Sequence, residues 1–338
     1  MLIVAFHFPP FYGDGNLSRV ADFVFLRYLE RLAVPFFFIC SGFFLYRGIE
    51  WTSMDDKKER TYIFRIIRLY LIWTIIYLPY SINTFQYDEA GTVHALIIFI
   101  RDFFLTGSCF HLWYMNALAF AVFLIMILRK QGFKPKSVLI ISVLLFLTGL
   151  TAQSWFGLIR PLEEVAPAVW QGMKKIGNLI VTTRNGMFEG FFYTAAGMYI
   201  ALRYSDRENS IPAIGFILSA GGLLAEILLL RKLGWSRATD IYLFQAPATV
   251  FFFLCLKNMS NLSGKNYRQL RKISGLLYYI HPLVGFLIEI GLEVVNPGFV
   301  LSRPLFFGLI LVFSMLISAC LLKLSESKRG AFLKKLYE

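Results

Sequence analysis

The sequence predicts an all-α integral membrane protein, a polytopic bundle of about ten transmembrane helices with the first one cut short. Three observations predict it. Of 338 residues, 57% are hydrophobic and 16% charged, against about 45–50% and 25% in soluble domains. The mean hydropathy of +0.61 is more apolar surface than a soluble core can hide, because surface shrinks too slowly with chain size. Apolar stretches near the roughly 20 residues a span requires also recur along the chain. The same composition excludes a disordered chain, and only four cysteines argue against a secreted disulfide scaffold.

Taken in order, the first apolar stretch is residues 1–8. At about 1.5 Å per residue it reaches only part of the way across a hydrocarbon core of about 30 Å. Pro9 and Pro10 end it, and it lacks the basic start and small-residue cleavage site of a signal peptide. It reads as the outer half of a first span whose inner half lies before Met1. Nine fuller segments follow, at 31–48, 63–82, 112–128, 137–156, 187–203, 212–231, 241–257, 273–292 and 303–322. Residues 94–104 mix Ile97, Ile98, Ile100, Phe103 and Phe104 with Arg101 and Asp102, the pattern of an interfacial or re-entrant helix. Segment 157–186 is the longest outer loop and is placed to cap a cavity. Residues 1–323 form one membrane domain, and 324–338 a short basic tail.

Charge sets the orientation. The net charge is +13, and 22 of the 34 lysines and arginines fall near 47–68, 129–136, 203–207, 257–272 and 323–335. These segments share one side if 1–8 counts as a span, and the positive-inside rule makes that side cytoplasmic. The expected location is the cell membrane with the C-terminus inside. Basic charge on such loops points to anionic lipid as partner, not nucleic acid. Cys40, Cys255 and Cys320 lie in spans and Cys109 stands alone outside, so no disulfide is expected.

Ionisable residues inside spans cost about 2.5–3.5 kcal/mol on insertion scales and usually mark sites. Arg65 and Arg68 share a helix face at the cytoplasmic end of a span. Two planar forks there suit a phosphate-rich ligand; the alternative is snorkelling to headgroups. His7, His111 and His281 sit at or in spans, where imidazole is poised for proton transfer or serves structure. His281 precedes Pro282, which frees a backbone carbonyl for a polar partner. Asn185, Glu189 and Tyr193 make one polar stripe beside Arg184, while Gly186, Gly190 and Gly197 read as a packing seam. Glu226, Glu289 and Glu293 are further carboxylates needing partners. Ser41-Gly42 reads as helix packing rather than a nucleophile. No metal-ligand spacing, phosphate-binding glycine loop or nucleophile elbow occurs. From the residues alone, an enzyme and a transporter both remain open.

Four motifs then carry a resemblance. Arg31-Leu32-Ala33-Val34-Pro35-Phe36-Phe37-Phe38 leads into Ser41-Gly42-Phe43. Arg65-x-x-Arg68-Leu69-Tyr70, His111-Leu112-Trp113-Tyr114-Met115 and Tyr278-Tyr279-Ile280-His281-Pro282 follow in order. Together they resemble the acyltransferase-3 family of integral membrane acyltransferases, over nearly the whole chain. Thr183-Arg184-Asn185-Gly186 looks most like the membrane domain of vancomycin-resistance serine racemases, though no racemase domain is expected in these residues.

The resemblance implies transfer of an acyl group from acyl-CoA, a donor rather than a bound cofactor, to a hydroxyl or amine of a surface glycan or small molecule. It implies His7 and His281 as catalytic residues and Arg65 and Arg68 as holders of CoA phosphates. His111, Trp113, Arg184, Asn185 and Glu189 would line the substrate cavity, with no metal. The family's first-span arginine, eleven positions before its histidine, would fall ahead of Met1. The alternative is an amino-acid transporter for serine-like substrates, motivated by the racemase likeness and by Glu189, Glu226 and Glu289.

Overall fold

A computed structural model describes residues 2–11, 20, 23–84, 91–203, 211–259 and 267–338. Among these residues the regular structure is helical, and each of the nine expected segments is built around a helix. The twelve main helices are α1 (Leu2–His7), α2 (Ala33–Tyr46), α3 (Lys57–Thr84), α4 (Gly91–Leu105), α5 (Trp113–Lys130), α6 (Pro135–Thr151), α7 (Pro167–Ile180), α8 (Phe191–Arg203), α9 (Ile211–Leu233), α10 (Gln245–Lys257), α11 (Tyr267–Val295) and α12 (Arg303–Ser325). Five stretches are long and apolar enough to cross a membrane by themselves: Lys57–Ile82, Trp113–Lys130, Pro212–Leu233, Gln269–Val295 and Arg303–Ser325. A sixth arises if α6 and its 80° bent continuation through Val165 form one span. This is a polytopic all-α membrane protein.

The chain divides into two compact units, residues 1–33, 71–77 and 260–338, and residues 34–70 and 78–259. In the first unit α11 and α12 pack along each other and α1 packs on both. The Phe8 ring occupies the space a Cβ on Gly285 would need and meets Phe306 edge-on at 5.6 Å. Pro282 lies inside α11, where a missing N–H and ring clash would ordinarily break a helix. The next rung is bridged instead. Leu283 N–H donates to the Tyr77 hydroxyl at 3.0 Å, and that hydroxyl donates to the Tyr279 carbonyl at 2.5 Å. One buried side chain thus replaces a direct i→i−4 bond. Trp73, a turn before Tyr77, stacks on Tyr279 at 5.0 Å and donates to the Leu336 carbonyl. The tail is further held by Ser325–Tyr337 and Lys272–Glu338.

In the second unit α9 packs against α10, and α8 against α5 and α6. The small-residue seam is a close crossing. A Cβ on Gly42 would collide with the backbone of Thr194, and one on Gly197 with the backbone of Ile39 and Phe43. Packing is therefore the role of Gly42 and Gly197, and Ser41 bonds Tyr114 of α5 at 3.1 Å. At one end of α5, Arg129 forms a bidentate pair with Glu59, with the two side chains 1% and 0% exposed.

Two helices are cut short of their expected bounds by polar groups. The helix expected over 137–156 stops at Thr151, where Gln153 and Ser154 turn the chain and both are buried. The helix expected from 241 begins at Gln245, because the N–H groups of Leu243 and Phe244 are capped from elsewhere. Residues 94–104 belong to α4, whose exposed Val93, Leu96, Ile97, Ile100 and Phe104 give an apolar stripe, as an interfacial helix requires.

Candidate active site

In the first unit the two expected catalytic histidines come together. The rings of His7, at the C-terminal end of α1, and His281, midway along α11, stack with centroids 5.4 Å apart and planes 28° apart. Phe8 closes on His281 edge-on at 6.3 Å. His281 is fully buried, and its Nδ1 lies 2.9 Å from the Leu277 carbonyl. A carbonyl only accepts, so Nδ1 carries the hydrogen. In the neutral ring the lone pair is then on Nε2.

In the second unit Arg184 is the centre of a small polar cluster. Its guanidinium lies 4.9 Å from the Trp113 ring centroid and reaches Asp240 at 3.3 Å. Cation–π stacking and an acidic partner fix the head of a side chain that would otherwise sample many rotamers. His111, 2% exposed, precedes Trp113 by two residues in the loop that enters α5.

Asn185 has a structural duty. Its Oδ1 accepts from Met187 and Phe188 N–H at 2.9 and 3.2 Å, and its Nδ2 donates to the Thr182 carbonyl at 2.7 Å. It caps a π-helical turn over Gly186–Gly190 that runs into α8. Such turns widen the backbone and recur at functional sites. Glu189 lies within the turn and is 2% exposed. Gly186 is required there, since a Cβ would strike Ala117 and Phe120 on α5.

Arg65 and Arg68 are exposed on one face of α3. Beside the Arg184 cluster lies a cavity of about 690 Å³ whose wall includes Thr182, Thr183 and Phe188. Segment 157–186 supplies Ile159, Met173, Ile176 and Asn178 to that wall. None of His111, Trp113, Arg184, Asn185 or Glu189 lines it, though Thr183 and Phe188, next to Arg184 and Glu189, do.

Glu226 proves to be a cap. Its Oε1 accepts from Trp155 Nε1 at 2.5 Å and Leu243 N–H at 2.8 Å, and its Oε2 from Phe244 N–H at 2.8 Å. The two backbone N–H groups are orphan donors at the start of α10. A carboxylate so occupied is poorly placed to carry protons for transport.

Sequence reading missed Tyr77, Asp240 and the Arg129–Glu59 pair. A proline inside α11 was the signal for Tyr77, whose hydroxyl bridges the disrupted ladder. Asp240 had no signal, since its partner is 56 positions away.

Comparison with known proteins gives the family. Residues 1–323 match the acyltransferase-3 family, described as an acyltransferase domain. The chain is similar to a serine/alanine racemase of Enterococcus gallinarum, 30% identical over 292 residues, covering 83% of this chain and 39% of that protein. It is also similar to an amino-acid racemase of Enterococcus faecalis, 25% identical over 341 residues, covering 97% of this chain and 45% of the relative. A second amino-acid racemase of that organism is 30% identical over 278 residues, 81% of this chain and 36% of the relative. The chain thus spans less than half the length of the curated relatives it matches. No solved structure matches. With its motifs in order, an all-helical membrane fold and a family match from residue 1 to 323, the chain belongs to the acyltransferase-3 family.

Proposed function

We propose that the protein is a membrane acyltransferase that moves an acyl group from acyl-CoA to a hydroxyl or amine of a cell-surface glycan or small-molecule acceptor. The observation that carries the reading is the stacked His7–His281 pair with the hydrogen of His281 fixed on Nδ1. His7 is the general base, and the His281 ring stacks against it and holds it in place. The acceptor's oxygen or nitrogen attacks the thioester carbonyl as its proton passes to imidazole. The C–S bond breaks, the thiolate leaves, and the proton returns to sulfur to give free CoA. A positioned base of this kind contributes about 10²–10⁴-fold. Direct transfer is favoured over an acyl-enzyme because Ser41 is engaged with Tyr114 in helix packing.

Arg65 and Arg68 hold the CoA phosphates from the cytoplasmic side, and Trp113 and Arg184 shape the acceptor side. The protein sits in the cell membrane with its C-terminus inside. The transporter reading loses one of its three carboxylates once Glu226 is a helix cap. The relatives' racemase names concern proteins more than twice as long as this chain's match to them.

The test is acyl-CoA binding by purified protein, wild type against Arg68→Ala and Arg68→Lys. Loss of charge-assisted bonds should weaken binding roughly tenfold or more in Arg68→Ala, with only partial recovery in Arg68→Lys because lysine lacks the fork. Wild-type affinity in both variants would reduce the arginines to lipid anchors and overturn this part of the reading.

A further inference from the structure

The cavity of about 690 Å³ in the second unit has no part in the chemistry described above, and its wall is chemically specific. Its size lies within the range of small-molecule sites. Thr148, Thr151, Thr182 and Thr183 all contribute to it, together with Gln153 and Arg237. Three of the hydroxyls already donate to backbone carbonyls: Thr148 to Leu144, Thr151 to Thr148 and Thr183 to Gly149. Their oxygens therefore remain as acceptors. Thr182 Oγ1 accepts from Gln153 Nε2 at 3.3 Å and from Arg184 N–H at 3.1 Å. Gln153 is 3% exposed, and its Oε1 has no hydrogen-bond partner among the described residues. A buried acceptor left unpaired costs about 1–3 kcal/mol.

The wall also contains a strained turn. Val181 has φ 67°, the one non-glycine residue with positive φ among the described residues. Thr182 N–H donates across it to the Ile180 carbonyl at 2.8 Å, closing a three-residue γ-turn of the rare positive-φ form. A β-branched residue is unfavourable there, and such strain concentrates at ligand sites.

The cationic groups are unequal. Arg101 is paired with Asp102 at 2.8 Å. Arg237 has no carboxylate partner among the described residues, and its guanidinium lies 5.7 Å from the Phe156 ring centroid. The wall thus offers several acceptors for O–H donors and one guanidinium without an acidic partner.

We infer that this cavity binds a small polyhydroxylated carboxylate, with Arg237 holding the carboxylate and the oxygens of Thr148, Thr151, Thr183 and Gln153 receiving its hydroxyl hydrogens. The inference does not depend on acyl transfer, because binding alone tests it. Gluconate carries both features, sorbitol has the hydroxyls without the charge, and propionate has the charge without the hydroxyls.

Calorimetric titration of the full chain in detergent should give gluconate at least tenfold tighter than either probe. Arg237→Gln should remove that advantage over sorbitol while leaving sorbitol unchanged, and Arg237→Lys should retain part of it. Arg237 is exposed, so these variants should fold, and an unchanged thermal transition will show it. Equal affinities for the three probes in folded wild-type protein would overturn the proposal. So would gluconate binding that Arg237→Gln does not alter, or no binding of gluconate at millimolar concentration.

Discussion

Arg129 gives the sharpest test of how this fold tolerates charge. The side chains of Arg129 and Glu59 are 1% and 0% exposed, so neither can find water without unfolding. Arg129 Nε donates to one Glu59 oxygen at 3.2 Å and a terminal nitrogen to the other. The remaining donors reach the carbonyls of Ser53 and Asp55, tying the loop before α3 to the end of α5. Replacing Arg129 by Met strands a buried carboxylate and two carbonyls. Removing one partner of such a pair costs about 3–5 kcal/mol, whereas replacing both by apolar residues is often nearly neutral. Unfolding of the detergent-solubilised protein should therefore show Arg129→Met losing about 3–5 kcal/mol and Arg129→Met/Glu59→Leu recovering most of it. A loss under about 1 kcal/mol in the single variant, or a double variant worse than the single, would refute the buried-pair reasoning.

Three further outcomes follow from the packing. Glu226→Ala strands Trp155 Nε1 and two N–H groups at the start of α10; it should cost at least about 3 kcal/mol in the same unfolding assay. Tyr77→Phe removes the hydroxyl that bridges Leu283 and Tyr279; it should destabilise by about 1–3 kcal/mol and speed amide exchange at Leu283. Burial pushes the Cys109 thiol up to about 11, so little of it is thiolate at pH 7.5. With the other three cysteines replaced, maleimide should label it roughly 10²-fold more slowly than a free cysteine, and the rate should climb as pH rises toward 11.

The helices were readable because a span must satisfy all its backbone groups internally, which leaves a long apolar stretch as its trace. The packing role of Gly42 and Gly197 was readable for a related reason, since small residues in a span have few other uses. His281-Pro282 announced a local break, and the structure supplies the group that bridges it. Partnerships across the fold were not readable. Arg129 looked like one more cytoplasmic positive charge until Glu59, 70 positions earlier, was placed beside it. Glu226 looked like a proton carrier because its three donors lie in two distant loops. Asn185 looked like part of one polar stripe because its spacing to Glu189 and Tyr193 follows a regular helix, while the chain there makes a π turn capped by Asn185 itself. Composition and periodicity record what lipid demands of each segment. They do not record which polar groups meet.

The central claim is acyl transfer with His7 as the proton acceptor, and CoA release tests it most directly. Membranes carrying wild-type protein, His7→Ala or His281→Ala at matched expression are given labelled acetyl-CoA, and free CoA and labelled membrane products are measured together. Transfer by the wild type above empty membranes, falling by about 10²–10⁴-fold in His7→Ala, is the result predicted. Undiminished transfer in His7→Ala would contradict the assigned base, and serine uptake by reconstituted protein with no acetyl-CoA consumed would contradict the reaction itself.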